Sequence, residues 1–248
     1  MNKHQPSTPY NVVLFGASGL TGSALINQLI DHPMIGYIVM MVRRPLPIKH
    51  HKIEQVVTDF QNQAVIKTAL KGCNIAYCCL GTTIKVAGSK DAFKAVDHTL
   101  VTQLAKHCKA MDVEQFHVIS SIGANANSSS FYLQVKGAME QSLSDQRFSQ
   151  LIIYRPSLLL GERKQWRIAE GLGGYLSRLL SFLFIGPLRQ YKPISASQVA
   201  SAMLDNSLRL MSKPQSKQHK TCRANSKQTA QITVFDNRQL HQISHDTV

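Results

Sequence analysis

Tyr132 and Lys136 stand four residues apart in the run Tyr132-Leu133-Gln134-Val135-Lys136. On a helix that spacing places both side chains on one face. A phenol ordinarily titrates near about 10 and is a poor acid–base group at neutral pH. A neighbouring ammonium favours its ionised form and brings it closer to the range of a proton donor to a carbonyl. Upstream, Ser120 and Ser121 end the run Val118-Ile119-Ser120-Ser121, and either hydroxyl could hydrogen-bond the same carbonyl oxygen. A second constellation lies near the start: Gly16-Ala17-Ser18-Gly19-Leu20-Thr21-Gly22. Glycines at this spacing give a tight turn, close approach of backbone to a pyrophosphate, and helix-against-strand packing. The plain alternatives are a chance Tyr–Lys pair, loop serines and a glycine turn with no ligand.

These residues need elements to position them. Asn11-Val12-Val13-Leu14-Phe15 reads as a buried strand, and Leu20, Ala24, Leu25, Leu29 and Ile30 recur at helical spacing. Strand, glycine turn and helix together aim free N–H groups and the positive end of a helix dipole at an anion. The next strand, Tyr37–Val42, ends in Arg43-Arg44, where NAD-binding units carry an acid for the ribose 2′-hydroxyl. Paired guanidiniums suit a 2′-phosphate instead, so NADP(H) is expected over NAD(H), against the bland reading of two solvated arginines before Pro45. Further strands are expected at Ile53–Thr58, ending in Asp59-Phe60, at Ile75–Leu80, ending in Gly81-Thr82-Thr83, and at Gln115–Ser120. Helices are expected at Asn62–Leu70, Asp91–Ala110 and Phe131–Leu143. This alternation implies an α/β, Rossmann-type, doubly wound parallel sheet with ligands at the strands' carboxyl ends. Asp59, Gly81 and Thr82 fall at such ends, where each is equally an ordinary turn former.

The conjunction resembles the short-chain dehydrogenase/reductase superfamily, and more narrowly the atypical NAD(P)H-binding oxidoreductases related to Tat-interactive protein. The residues that carry it are Gly16 to Gly22, Arg43-Arg44, Leu80-Gly81-Thr82-Thr83, Ser120-Ser121-Ile122-Gly123-Ala124 and Tyr132 to Lys136, then Tyr154-Arg155-Pro156-Ser157 and Lys192-Pro193-Ile194-Ser195. The resemblance spans about residues 9 to 210. It implies hydride transfer from NADPH to a carbonyl, with Tyr132 as proton donor and Lys136 lowering its pKa and holding the nicotinamide ribose. Ser121, ahead of Ser120, would orient the substrate. The resemblance also implies a cofactor cleft formed by Gly16, Ser18, Gly19, Leu20, Thr21, Gly22, Arg43, Arg44, Asp59, Phe60, Leu80, Gly81, Thr82 and Thr83, with Pro156 and Ser157 beside the nicotinamide. Many members carry an Asn on the fourth helix to relay protons through water; here Asp97 occupies that region and the helix has no Asn. The rival reading is an NADPH-binding regulatory or scaffold protein with little turnover; intact Ser121, Tyr132 and Lys136 favour the enzyme.

The 248 residues suffice for one substantial core. The expected layout is a Rossmann domain at 9–210, with 157–192 as substrate lid, a flexible basic loop at 211–230 and a C-terminal strand and helix at 231–248. Within 165–190 a lid or subunit contact is favoured over a basic amphipathic helix on a membrane. The first ten residues are polar, and five cysteines without framework spacing argue for reduced thiols, so the expected compartment is the cytoplasm. No Cys or His spacing suggests a metal; His241 and His245 fit a polar tail helix better. The expected partner is an unidentified small-molecule carbonyl substrate, with a homodimer and weak contact with an anionic membrane surface also compatible. Net charge of +14 implies affinity for anions. The basic residues are dispersed and aromatics make up only 7% of the chain, which disfavours nucleic acid.

Overall fold

The computed structural model describes residues 9–161, 190–212 and 231–243. The strands β1 (Tyr10–Phe15), β2 (Ile35–Val42), β3 (Ile53–Val57), β4 (Ile75–Cys78), β5 (Gln115–Ile119) and β6 (Gln150–Arg155) share one parallel sheet with β9 (Gln231–Asp236). Their spatial order is β3-β2-β1-β4-β5-β6-β9. A separate parallel pair joins β7 (Leu159–Leu160) to β8 (Ile194–Ser195). The central strands β4 and β5 are buried throughout; β4 accordingly runs without a charged residue, while β5 turns Gln115 and His117 to one face.

Helices cover both faces. On one side α2 (Gln63–Leu70), α5 (Val101–Ala110) and α6 (Phe131–Ser144) send Ile66, Leu104 and Met139 against Val13, Val118 and Ile153. On the other, α1 (Leu20–Asp31), α7 (Ala196–Ser212) and α8 (Asn237–Ile243) send Leu25, Val199 and Leu240 against Val12, Tyr77 and Ile152. That second layer also holds a polar chain. The buried His117 lies with Nδ1 2.9 Å from the Tyr154 hydroxyl and Nε2 2.8 Å from the Gln115 amide oxygen, and Gln115 donates to the Ser207 carbonyl. Burial pushes the His117 pKa down to about 3. The described cysteines, Cys73, Cys78, Cys79 and Cys108, are free thiols.

The structure departs from the sequence expectations at several element boundaries. The fourth strand stops at Cys78 and the fifth at Ile119, so Cys79 to Thr83 and Ser120 belong to the loops above the sheet. The helix expected over Asp91–Ala110 is three pieces: α4 (Lys90–Lys94), a π-helical segment (Ala95–Leu100) and α5, preceded by a short α3 (Ile84–Ala87). The C-terminal strand is not an appendage; β9 is the seventh strand of the main sheet, paired in parallel with β6. Met211 and Ser212, expected to open the basic loop, instead close α7. The lid and membrane readings of 165–190, up to residue 189, and the loop reading over 213–230 lie outside the described residues.

Candidate functional site

The strand order reverses between β1 and β4, and such a switch point opens a crevice at the strands' carboxyl ends. The Gly16–Gly22 turn sits there. Gly16 has φ +83°, and a Cβ on it would lie 2.7 Å from the Cys79 carbonyl. A Cβ on Gly22 would lie 2.1 Å from the Gly16 oxygen. Both positions therefore demand glycine, one for its backbone conformation and both for close approach. The Gly19 amide donates to the Gly16 carbonyl and closes the turn. No side chain caps the N-terminus of α1, and its first turn carries no acid. Its first N–H groups are left for an external acceptor. The Thr21 hydroxyl is buried without a partner, Ser18 is exposed on the turn and Leu20 is half-buried behind it. An uncapped helix end with an orphaned hydroxyl beside it fits a pyrophosphate.

Where the sequence leads one to expect the adenosine ribose, β2 delivers Arg43 and Arg44 to the surface. The loop that carries them is pinned by Gln55, which accepts from the Leu46 amide and donates to the Leu46 and Ile48 carbonyls. Neither arginine enters an ion pair among the described residues. Beyond β3, Asp59 is exposed and its carboxylate accepts from the Gln61 amide. Phe60, a cofactor-cleft candidate, has a backbone φ of +67°, and its buried side chain belongs to the core cluster that also holds Val39, Ile66 and Leu70.

The other candidate residues gather on or beside the loops after β4, β5 and β6. Asp97, from the π-helical segment, is 1% exposed and lies with Oδ1 2.7 Å from the Lys136 ammonium, itself 5% exposed. Its Oδ2 accepts from the Thr82 amide at 2.8 Å. Gly81 lies directly over this pair, its Cβ position 3.5 Å from Asp97 and 4.0 Å from Lys136. Thr83 is spent as the N-cap of α3, and Leu80 packs against the core. The Ser120 hydroxyl is buried without a partner, while Ser121 is half-buried and donates to the Ile122 carbonyl at 3.3 Å. Tyr132 is half-buried one turn before Lys136, its ring 5.5 Å from that of Phe93.

Pro156 is buried, and its carbonyl accepts from the Ile122 amide. Ser157 is held by two bonds: its amide donates to Asn237 and its hydroxyl to the Lys192 carbonyl at 2.6 Å. The hydroxyl of Ser157 is thus committed to the framework. The fully buried Asn237 also donates to the Gln190 and Lys192 carbonyls, tying the loop after β6 and the segment before β8 to the start of α8. Sequence reasoning missed Asn237, which stands in an unremarkable position after Asp236. It also missed Gly137, whose Cβ would lie 2.1 Å from the Ala126 amide nitrogen. That glycine lets α6 press against the loop after β5. A glycine inside an expected helix was the available signal. Among the described residues no cluster of His, Cys, Asp and Glu is arranged to hold a metal ion.

Comparison with known proteins agrees with this geometry. A family model described as NAD(P)H-binding matches residues 16–177. Protein HTATIP2 of Rattus norvegicus is 34% identical over 165 residues, covering 65% of this chain and 68% of that protein. Protein FMP52-1, mitochondrial, of Scheffersomyces stipitis is 35% identical over 191 residues, covering 75% and 83%. Among solved structures, MoeE5 in complex with UDP-glucose and NAD superposes with a TM-score of 0.61 at 15% identity, over 96% of this chain and 81% of that one. A Rossmann-fold NAD(P)-binding family protein from Shigella flexneri gives 0.54 at 20% identity, over 82% and 88%. At those identities the structures speak for the fold alone.

Proposed function

Because the chain belongs to the NAD(P)H-binding family, we propose that it is an NADP(H)-dependent oxidoreductase of the atypical short-chain type that reduces a small-molecule carbonyl, with Tyr132 as the acid–base group. The observation that carries this reading is Lys136. It is a buried cation held beside Gly81, one helical turn from Tyr132 and at the same end of the sheet as the glycine turn.

A bound nicotinamide would supply hydride to the carbonyl carbon. The residues of this chain do the rest. The Gly16–Gly22 turn and the first amides of α1 hold the pyrophosphate, and Arg43 and Arg44 take the 2′-phosphate. Lys136 and the Thr82 turn order the nicotinamide ribose. Ser121, backed by the buried Ser120, orients the carbonyl, and Tyr132 donates its phenolic proton to the carbonyl oxygen as hydride reaches the carbon. Both hydrogens gained by the carbonyl are then accounted for, one as hydride and one as proton. A cytosolic location belongs to this proposal, and the mitochondrial name of the fungal relative makes organelle fractionation its check.

Parallel titration with NADPH and NADH, read by nucleotide fluorescence, followed by a carbonyl substrate screen, tests the reading. Tight NADPH binding, weaker NADH binding and NADPH oxidation by some carbonyl are expected. Tyr132→Phe should remove turnover and leave NADPH affinity within about twofold, because the phenol acts on the substrate alone. Failure to bind either nucleotide overturns the proposal. Binding without turnover across the screen would instead favour the NADPH-binding regulator.

A further inference from the structure

The ion pair under Gly81 has a feature that a simple charge pair lacks: its carboxylate has two clients on two different elements. Oδ1 of Asp97 faces the Lys136 ammonium on α6, and Oδ2 accepts the Thr82 amide from the loop after β4. Asp97 itself is carried by the π-helical segment. Segments of that kind introduce a local extra residue and are frequent at functional sites. All three elements thus converge on one group that is 1% exposed.

We infer that Asp97 is a positioning residue, a clamp that fixes the nicotinamide-side cation Lys136 and the Gly81-Thr82 turn as one preformed unit. This rests on the dinucleotide reading above and goes beyond it, because Asp97 touches neither cofactor nor substrate and acts only through Lys136 and Thr82. The chemistry explains why a carboxylate serves here. A lysine buried to this degree needs a counter-charge, since removing one partner of a buried pair strands the other without solvent. A backbone amide in a loop needs an acceptor as well. One carboxylate supplies both, with an oxygen for each. An ordered water is not required to bridge the lysine, because the contact is direct. The loop and the lysine are therefore set before the nucleotide arrives, and preorganisation of that kind raises affinity by removing an ordering cost from binding.

The test compares the full chain with Asp97→Asn, Asp97→Ala, Lys136→Met and the Asp97→Ala/Lys136→Met double variant. Three readouts are followed: NADPH affinity by fluorescence titration, melting temperature, and the side-chain ammonium signal of nitrogen-15-labelled lysine by NMR. Wild-type protein should show an exchange-protected ammonium signal that vanishes in Lys136→Met and in Asp97→Ala. Asp97→Ala should lose NADPH affinity by roughly tenfold or more, and Asp97→Asn, whose amide brings no charge and one acceptor oxygen for two donors, should recover only part of it. The double variant should melt above Asp97→Ala alone, because no buried charge is stranded, and its loss of NADPH affinity should be smaller than the two single losses combined, because Asp97 acts through Lys136. Independent, fully additive losses, or NADPH affinity in Asp97→Ala equal to wild type, overturn the inference while leaving the dinucleotide reading intact. Absence of NADPH binding in the wild type overturns the dinucleotide reading, and this inference with it.

Discussion

Arg43 and Arg44 show how much a single residue type can decide. They stand where β2 ends, on a loop whose course is fixed by three hydrogen bonds to Gln55, and a guanidinium offers a planar fork to phosphate oxygens. Replacing both by Ala should weaken NADPH by about 1.5–3 kcal/mol per charged hydrogen bond lost and NADH far less. Parallel fluorescence titrations measure the split, and equal losses for the two nucleotides would remove the 2′-phosphate assignment. Residue identity was also enough to nominate Tyr132, Lys136 and the two serines. It was not enough to say which serine hydroxyl is buried without a partner, that Phe60 turns inward, or that Ser157 spends its hydroxyl on Lys192. Those outcomes depend on backbone conformation and on neighbours distant in the chain.

Among the elements, α6 carries the site, and its placement depends on one position that has no side chain. Gly137 follows Lys136 directly, and a Cβ there would meet the Ala126 nitrogen at 2.1 Å and the Asn125 carbonyl carbon at 2.2 Å. Neither is the end of a flexible side chain, so the helix or the loop must move. Gly137→Ala should therefore destabilise the fold by about 3 kcal/mol, despite the usual gain from alanine in a helix. Urea unfolding followed by circular dichroism checks the sign; a stabilised variant would mean that α6 does not press on that loop. The helix itself was legible, because Val135, Met139 and Leu143 recur toward the core. The interruption at Ala95–Leu100 was not. Periodicity reads the face a helix buries, and it is insensitive to one turn being widened to bring Asp97 to Lys136.

For the molecule as a whole, the two-sided core carries a pH dependence of its own. The folded His117 value of about 3 lies below the ordinary value of about 6.5, so the unfolded chain binds its proton first. The stabilisation is complete above pH about 6.5 and is lost as pH falls toward 3. Between pH 6.5 and 4 it should amount to roughly 3 kcal/mol. Burial lowers the values of His32, His98 and His107 as well, with the same sign. Urea midpoints measured at pH 7, 5.5 and 4 should fall steeply, and His117→Gln should flatten that slope; an unchanged slope would show that His117 is not protected from protonation. The sequence by itself determined the class of fold, the order of its elements and the glycine turn, because hydrophobic period, strand–helix alternation and glycine spacing are local properties of the chain. It also placed Tyr132 and Lys136 on one helical face. Only the tertiary structure decided that β9 joins the main sheet beside β6, that Asn237 ties the loop after β6 to the segment before β8, and that Asp97 holds both Lys136 and Thr82. Each of these contacts joins residues from different elements, and whether a buried polar group finds its partner is settled only when the elements that carry the two have packed.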